Sequence, residues 1–385
     1  MITETQIVRE WKQPLKVMTF FSGGFGSIEL AMKYEKIDHE ILVACEIDEA
    51  ARESYLLNHG EPTREFPNDI TKFNGQKYKD EVDLMHLSPP CQSYSTAGNR
   101  EGESCIRGNL MYEAVRVIDE VRPKIFTIEN VPGLISSGNT LKNIISDLKA
   151  IGYQVSWHKM SAEDYGSPQT RGRVFIVGFY GTGATFPTPQ KQKLGVCIGD
   201  LLEQNVDKKY YLSQKALDGF SAKTKKIPSL KLNPKSKNGA IGTLTARYQK
   251  NAITDPYIFD PKLMQVGNVD QKGHNSLWGR VYSKDGLAPT QNANGGGMGA
   301  KTGLFSLEDG IRRLTPREGA RAMGDTKDAF KFGDFKDNKL YFFIGNAIDI
   351  NTYRVLLVSI LEHQKSIDFS KKFIAQKRVV QTALF

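Results

Sequence analysis

The sequence predicts a doubly wound α/β fold with a mostly parallel sheet, joined to a smaller, loop-rich and partly β domain. Three observations lead there. From 16 to about 180, short apolar runs alternate with stretches of helical periodicity, the pattern of strands and helices that build a parallel sheet. The first of these runs opens into a glycine-rich turn, "FFSGGFGSIELA", as nucleotide-binding α/β sheets begin. Between 181 and 310 the periodicity fades, and prolines, lysines, glycines and asparagines gather in "PTPQKQK", "LNPKSKNG" and "NANGGGMGAKTG".

Apolar runs of strand length, bounded by turn residues, read as buried strands. In order they are "KVMTFF" (16–21), "ILVAC" (41–45), "DLMHL" (83–87), "KIFTIEN" (124–130) and "VFIVGF" (174–179). Helical stretches lie between them at 27–35, 48–58, 109–121 and 140–150. Aromatic and β-branched residues persist in the middle region, as in "ARYQKNAITDPYIF" and "WGRVY", so it reads as folded rather than disordered. Regular patterning returns after 311 and ends in a helix over 348–363. The domains are therefore a first α/β unit (14–180), an inserted second domain (181–310), a return to the first (311–365) and a tail (366–385).

Charge is unevenly spread. Between 181 and 310 there are 18 Lys and Arg against 10 Asp and Glu, so this third of the chain carries +8 of the net +9. Such a basic segment suits a polyphosphate partner. The most apolar stretch, "VLLVSIL", is far too short to span a membrane, and "MITETQIVREWK" has no signal-peptide core. The four cysteines are scattered without a CxxC pair, which indicates neither a disulfide framework nor a metal site and suits a reducing cytoplasm.

Several residues have types and positions that suit chemistry. Gly23, Gly24 and Gly26 would let backbone approach a ligand at a helix N-terminus. Glu46 ends the second strand, where a carboxylate can hold ribose hydroxyls. Asp69 could end a later strand and accept from an adenine amino group. Cys91 follows Pro89 and Pro90, and the residue before each proline is driven to extended geometry. The result is a stiff arm presenting a thiol, either as a buried structural cysteine or as a nucleophile. Glu129 ends the neighbouring strand, and Arg171 and Arg173 alternate along an extended segment, facing one side.

In order along the chain stand an F-x-G glycine loop, "PPCQSYS", "ENVPG", "QTRGR", "RRLTPREGARAMG" and "GNAI". With these motifs the chain resembles the S-adenosylmethionine-dependent cytosine-5 DNA methyltransferases over nearly its whole length. The resemblance implies a Rossmann-like sheet of class I methyltransferase type, with 181–310 as target-recognition domain and double-stranded DNA as partner. It implies that Cys91 attacks cytosine C6, that Glu129 holds N3 and the exocyclic amine, that Arg173 contacts O2, and that Arg171 lies near the catalytic loop. The target base would flip out of the duplex, under a mobile loop (92–108) carrying Gln92 and Arg107. For the cofactor it implies Phe21, Ser22 and the glycine turn around methionine and adenosine, Glu46 on the ribose, Ile47 against adenine, and Asp69 with Ile70 at its edge. Pro89, Leu110 and Asn346 would complete that pocket. Arg247, Arg280 and Gln291 have side chains able to read base edges. No metal is implied; a monomer is, with a separately acting cognate restriction endonuclease as a further partner.

Two departures from the family pattern stand out. "FSGGFGS" holds one glycine more than F-x-G-x-G-G/S, and Ile47 replaces a frequent tryptophan. Two other functions stay open: a tRNA-methylating member of the family, and a catalytically silent DNA-binding regulator. The second domain's length of about 130 residues argues against the first, and the presence of Cys91 and Glu129 against the second.

Overall fold

The computed structural model describes residues 14–90, 106–181, 185–192, 194–211 and 310–365, with short stretches at 265–268, 280–283, 285, 288–290 and 304–307. The central sheet is built from β1 (Leu15–Phe20), β2 (His39–Cys45), β3 (Leu84–Leu87), β4 (Ile125–Asn130), β5 (Tyr153–Ser161) and β7 (Gly172–Tyr180). Its order is β2-β1-β3-β4-β7-β5. The first four strands are parallel, whereas β7 runs antiparallel to both β4 and β5. Every residue of β3 and β4 is buried, as expected for parallel strands covered on both faces, which read as unbroken apolar runs.

Helices cover the two faces. On one, α1 (Ser27–Tyr34) packs with the last helix, α7 (Ile350–Lys365), over a core that includes Val17, Leu30, Phe175, Tyr353 and Leu357. On the other, α3 (Ile106–Val121) and α4 (Thr140–Ala150) cover Met18, Phe20, Met85, Phe126 and Ile176. The helix expected at 348–363 is thus α7, docked on the sheet far from it in sequence. Beyond β2, the chain at 63–65 adds a rudimentary edge: Thr63 and Arg64 amides donate to Ile41 and Leu42 carbonyls, and Glu65 bridges Val43 in parallel.

The edge strand β5 has no counterpart among the sequence-predicted strands. Its burial alternates and Trp157 is 42% exposed, so it lacks the continuous apolar run that marks β3 and β4.

A second, four-stranded sheet joins β8 (Gln265–Asn268), β9 (Arg280–Ser283), β11 (Leu304–Leu307) and β12 (Gly310–Arg312) in the order β12-β11-β9-β8. The two-residue strands β6 (Gln169–Thr170) and β10 (Ala288–Pro289) pair in parallel and tie this region to the first sheet. Next come α5 (Pro316–Ala322) and α6 (Asp337–Asn346). At the start of α5, Arg312 and Glu318 form a fully buried bidentate pair, and Thr315 caps the helix. Among the described residues no helix is long and apolar enough to cross a membrane.

Candidate active site

The carboxyl ends of β1 to β4 form one edge, and β1 has β2 on one side and β3 on the other. Connections leave in opposite directions there, opening the crevice where α/β sheets bind ligands. The chain turns sharply at that point: Phe21, Gly23 and Gly26 have φ of 58°, 65° and 60°. Left-handed backbone is ordinary for glycine but strained for an aromatic residue, and such strain concentrates at functional sites. Gly24 and Gly26 are also tight, since a Cβ would lie 2.7 Å from the Phe343 ring in the first case and 2.1 Å from His59 Nε2 in the second.

The turn is tied to β2. Ser22 N donates to Cys45 O at 3.0 Å, and Ser22 Oγ accepts from Cys45 N at 3.2 Å. Glu46 then takes two backbone amides, Gly23 N on Oε2 and Asp48 N on Oε1, both at 2.9 Å. Burial raises the Glu46 pKa, while these backbone donors pull it down. Beside it Ile47 is 75% exposed, an aliphatic side chain open to solvent. Asp48 caps α2 (Glu49–His59) through Ala51 N.

Asp69 precedes a short turn (Ile70–Lys72) and accepts from Thr71 N and Oγ1 at 3.0 and 2.7 Å, which lowers its pKa. Ile70 is buried beneath it. Leu110, on α3, is half-buried, and Asn346 ends α6 exposed.

The proline arm is held at both sides. Ser88 N and Oγ donate to Phe20 O and Phe21 O, and Asn130 Nδ2 donates to Pro89 O at 3.3 Å. Cys91, Gln92, Arg247 and Gln291 lie outside the described residues, and Arg107 and Arg280 are placed only by their backbones, on α3 and at the start of β9.

Glu129 is buried at the end of β4, and its Oε1 lies 2.9 Å from Arg173 Nε. Desolvation raises its pKa; Arg173 first and Arg171 second oppose the rise. Arg171 falls in the one-residue break between β6 and β7, and its Nη2 donates to Gly345 O and Ala347 O at 3.0 and 2.6 Å. The two arginines therefore have different partners: Arg173 the carboxyl, Arg171 the carbonyls flanking Asn346. A buried carboxyl with a raised pKa and a guanidinium beside it can hold or share a proton with a bound base.

Two contributors to the site carry little sequence signal. Ser54 Oγ donates to Gly24 O at 2.7 Å from within α2. Asn130, inside the quoted "ENVPG", links the two loops through Pro89 O and Val131 N; its place next to a strand-end glutamate was the available clue.

A family model for C-5 cytosine-specific DNA methylase matches residues 15–362. The chain is 29% identical to type II methyltransferase M.HhaI of Haemophilus parahaemolyticus, over 90% of this chain and 94% of that protein. It is 30% identical to orphan methyltransferase M.SPRI of Bacillus phage SPR, over 78% and 68%. Among solved structures, the S. pombe Dnmt2 methyltransferase superposes with a TM-score of 0.64 at 18% identity, covering 92% of this chain and all of that one. A putative DNA modification methyltransferase encoded within an E. coli prophage gives a TM-score of 0.61 at 19% identity, over 91% and 99%.

Proposed function

The chain belongs to the C-5 cytosine-specific DNA methylase family, and we propose on that premise that it methylates C5 of a cytosine within one short duplex DNA sequence, using S-adenosylmethionine. The observation that carries this reading is the Glu129–Arg173 pair at 2.9 Å, buried at the sheet edge where the Pro89–Pro90 arm leads into Cys91.

The residues around the glycine turn fit the cofactor. Glu46 is anchored by Gly23 N and Asp48 N, one amide on each carboxylate oxygen, and each oxygen keeps acceptor capacity for a ribose hydroxyl. Ile47 offers an exposed apolar face for adenine, Asp69 and Ile70 follow the loop tied to its own by Glu46 N on Pro67 O, and Phe21, Ser22, Gly24, Gly26, Pro89, Leu110 and Asn346 are the further pocket candidates. When bound, S-adenosylmethionine would supply an electrophilic methyl group, its S–CH3 bond breaking to leave S-adenosylhomocysteine.

Cytosine C5 is a poor nucleophile while the ring is aromatic. In the proposed reaction the Cys91 thiolate forms a bond to C6 while N3 takes a proton or strong hydrogen bond from Glu129, so the C5=C6 electrons become available at C5. Arg173 stabilises charge at O2. Arg171 keeps the 345–347 turn, and with it Asn346, in place. Once C5 carries the methyl group, loss of its proton restores the C5=C6 bond and expels Cys91. The cytosine reaches these groups only by leaving the stack; Gln92 belongs to the segment proposed to close over it, whereas 106–108, expected in that loop, form the first turn of α3, so Arg107 stands at its end on a helix. The basic 181–310 segment serves as target-recognition domain, with Arg247, Arg280 and Gln291 as base-reading candidates.

The test is methylation of long mixed-sequence duplex DNA by the purified chain and by Cys91→Ala, read at every cytosine by deamination sequencing. Modification confined to one motif, absent in the variant, is expected. A fully active Cys91→Ala refutes the covalent route. Methylation of tRNA but not of DNA replaces the substrate, and activity on neither refutes the enzyme reading.

A further inference from the structure

We infer that Arg52, on α2, is a positioning residue for the adenosine half of the cofactor, locking together the two loops proposed to border it. This rests on the cofactor reading above. One loop follows β2 and carries Glu46 and Ile47; the other follows the 63–65 edge and carries Asp69 and Ile70. Arg52 reaches both. Its Nη1 donates to Glu46 O at 3.3 Å and to Pro67 O at 3.0 Å, and its Nη2 donates to Phe66 O at 2.7 Å. The guanidinium carbon lies 3.9 Å from the Phe66 ring centroid, close enough for a cation–π contact. The backbone adds one parallel tie, Glu46 N to Pro67 O at 3.3 Å.

The chemistry of the clamp is specific. Each partner is a backbone carbonyl or a ring face, and three carbonyls spread over two segments call for a planar fork of donors; a lysine ammonium offers a point charge on a flexible stem. The far end of the second loop is held separately, by Arg116 Nη2 on Ile70 O at 2.8 Å and Nη1 on Phe73 O at 3.1 Å. Arg116 is itself braced by Glu113 and Glu120 on α3. The Asp69–Ile70 turn is thus fixed to α3 by Arg116, and the distance from it to Glu46 and Ile47 is set by Arg52. Loss of Arg52 leaves the side chains that would contact ribose and adenine intact but leaves their spacing to the backbone bond from Glu46 N to Pro67 O.

The experiment measures dissociation constants for S-adenosylhomocysteine and 5′-methylthioadenosine by calorimetry, with steady-state kinetics, for the full chain and for Arg52→Met and Arg52→Lys. Arg52→Met should raise both dissociation constants about tenfold and by the same factor, because the two compounds share the adenosine half. The KM for cofactor should rise in parallel, with kcat at saturating cofactor within about twofold. Arg52→Lys should fall between, and carries the test alone if Arg52→Met does not fold. Binding unchanged within twofold in both variants, or a loss confined to kcat, overturns the assignment while leaving the cofactor reading intact. Failure of the unmutated chain to bind either compound overturns both.

Discussion

Acid should destabilise this fold through His86 by an amount the structure fixes. His86 lies in β3, completely buried, with Nδ1 2.8 Å from Thr127 Oγ1 and its ring edge-on to Tyr353 at 5.1 Å. Its Nε2 has no hydrogen-bond partner among the described residues. Burial therefore holds its pKa down to about 3, against about 6.5 in an unfolded chain. As pH falls, the unfolded state takes up the proton first. The stability that comes from keeping this imidazole neutral is whole above about pH 6.5 and is lost as pH falls toward 3. The loss is about 1.4 kcal/mol per pH unit, so about 2 kcal/mol between pH 7.5 and 5.0, a value that holds for any native pKa below about 4. The assay is guanidinium denaturation of the chain and of His86→Gln at both pH values. Glu46, Glu129 and Asp349, whose burial raises their pKa values, act in the opposite sense but equally in both proteins. The unmutated chain should lose about 2 kcal/mol more than the variant. Parallel losses, within about 0.5 kcal/mol, would show that the buried imidazole is protonated or rehydrated at little cost and refute the reasoning.

Three further outcomes are expected. Glu129→Gln removes the proton but keeps the shape, so kcat should fall by about 10²- to 10⁴-fold with DNA affinity in gel shift retained; a rate within tenfold would remove the carboxyl from proton sharing. Glu318 accepts from Arg312 Nη1 and Nη2, Thr315 N and Glu203 N at 2.6–2.8 Å. Glu318→Gln leaves Arg312 buried without its charge partner and should cost about 3–5 kcal/mol, read as a urea midpoint shift; a loss under about 1 kcal/mol would mean that water reaches the pair. Gly26→Ala adds left-handed strain and a Cβ 2.1 Å from His59. It should destabilise by about 2–4 kcal/mol and weaken cofactor binding in calorimetry, and an unchanged Tm would show that the turn can relax.

How much of this was legible follows from what each signal encodes. Strands β1 to β4 and helices α1 to α4 are readable because parallel strands buried on both faces spell continuous apolar runs, with helical periodicity between them. The edge strand β5 alternates and escapes that test. So does the edge at 63–65, held to β2 by main-chain bonds, one bridge and the Thr63 hydroxyl on Glu40 and Ile41 rather than by an apolar run. The buried polar contacts of Thr127 with His86 and Tyr353 and the reach of Arg52 join residues whose partners are set by packing, which no local pattern records.

Strand direction is the most instructive gap, because periodicity carries none. "VFIVGF" reads as one more strand of a parallel sheet, yet in a parallel strand the residues just before it would lie at the amino edge, far from Glu129. Because β7 runs antiparallel to β4, its first residues come to the carboxyl edge instead. Glu129 is registered opposite Phe175, and Arg173, two residues before Phe175, shares its face as a diagonal neighbour of Glu129, within reach of a long side chain. That register brings the guanidinium Nε to 2.9 Å from the carboxyl. The same reversal explains the divergence of the two arginines. Arg171 lies beyond the start of β7, where β4 has ended, so it extends past the sheet to the 345–347 turn. Motif order along the chain names Glu129 and Arg173, by resemblance, as separate contacts on one cytosine. The antiparallel insertion of β7 between β4 and β5 is the physical reason that they meet.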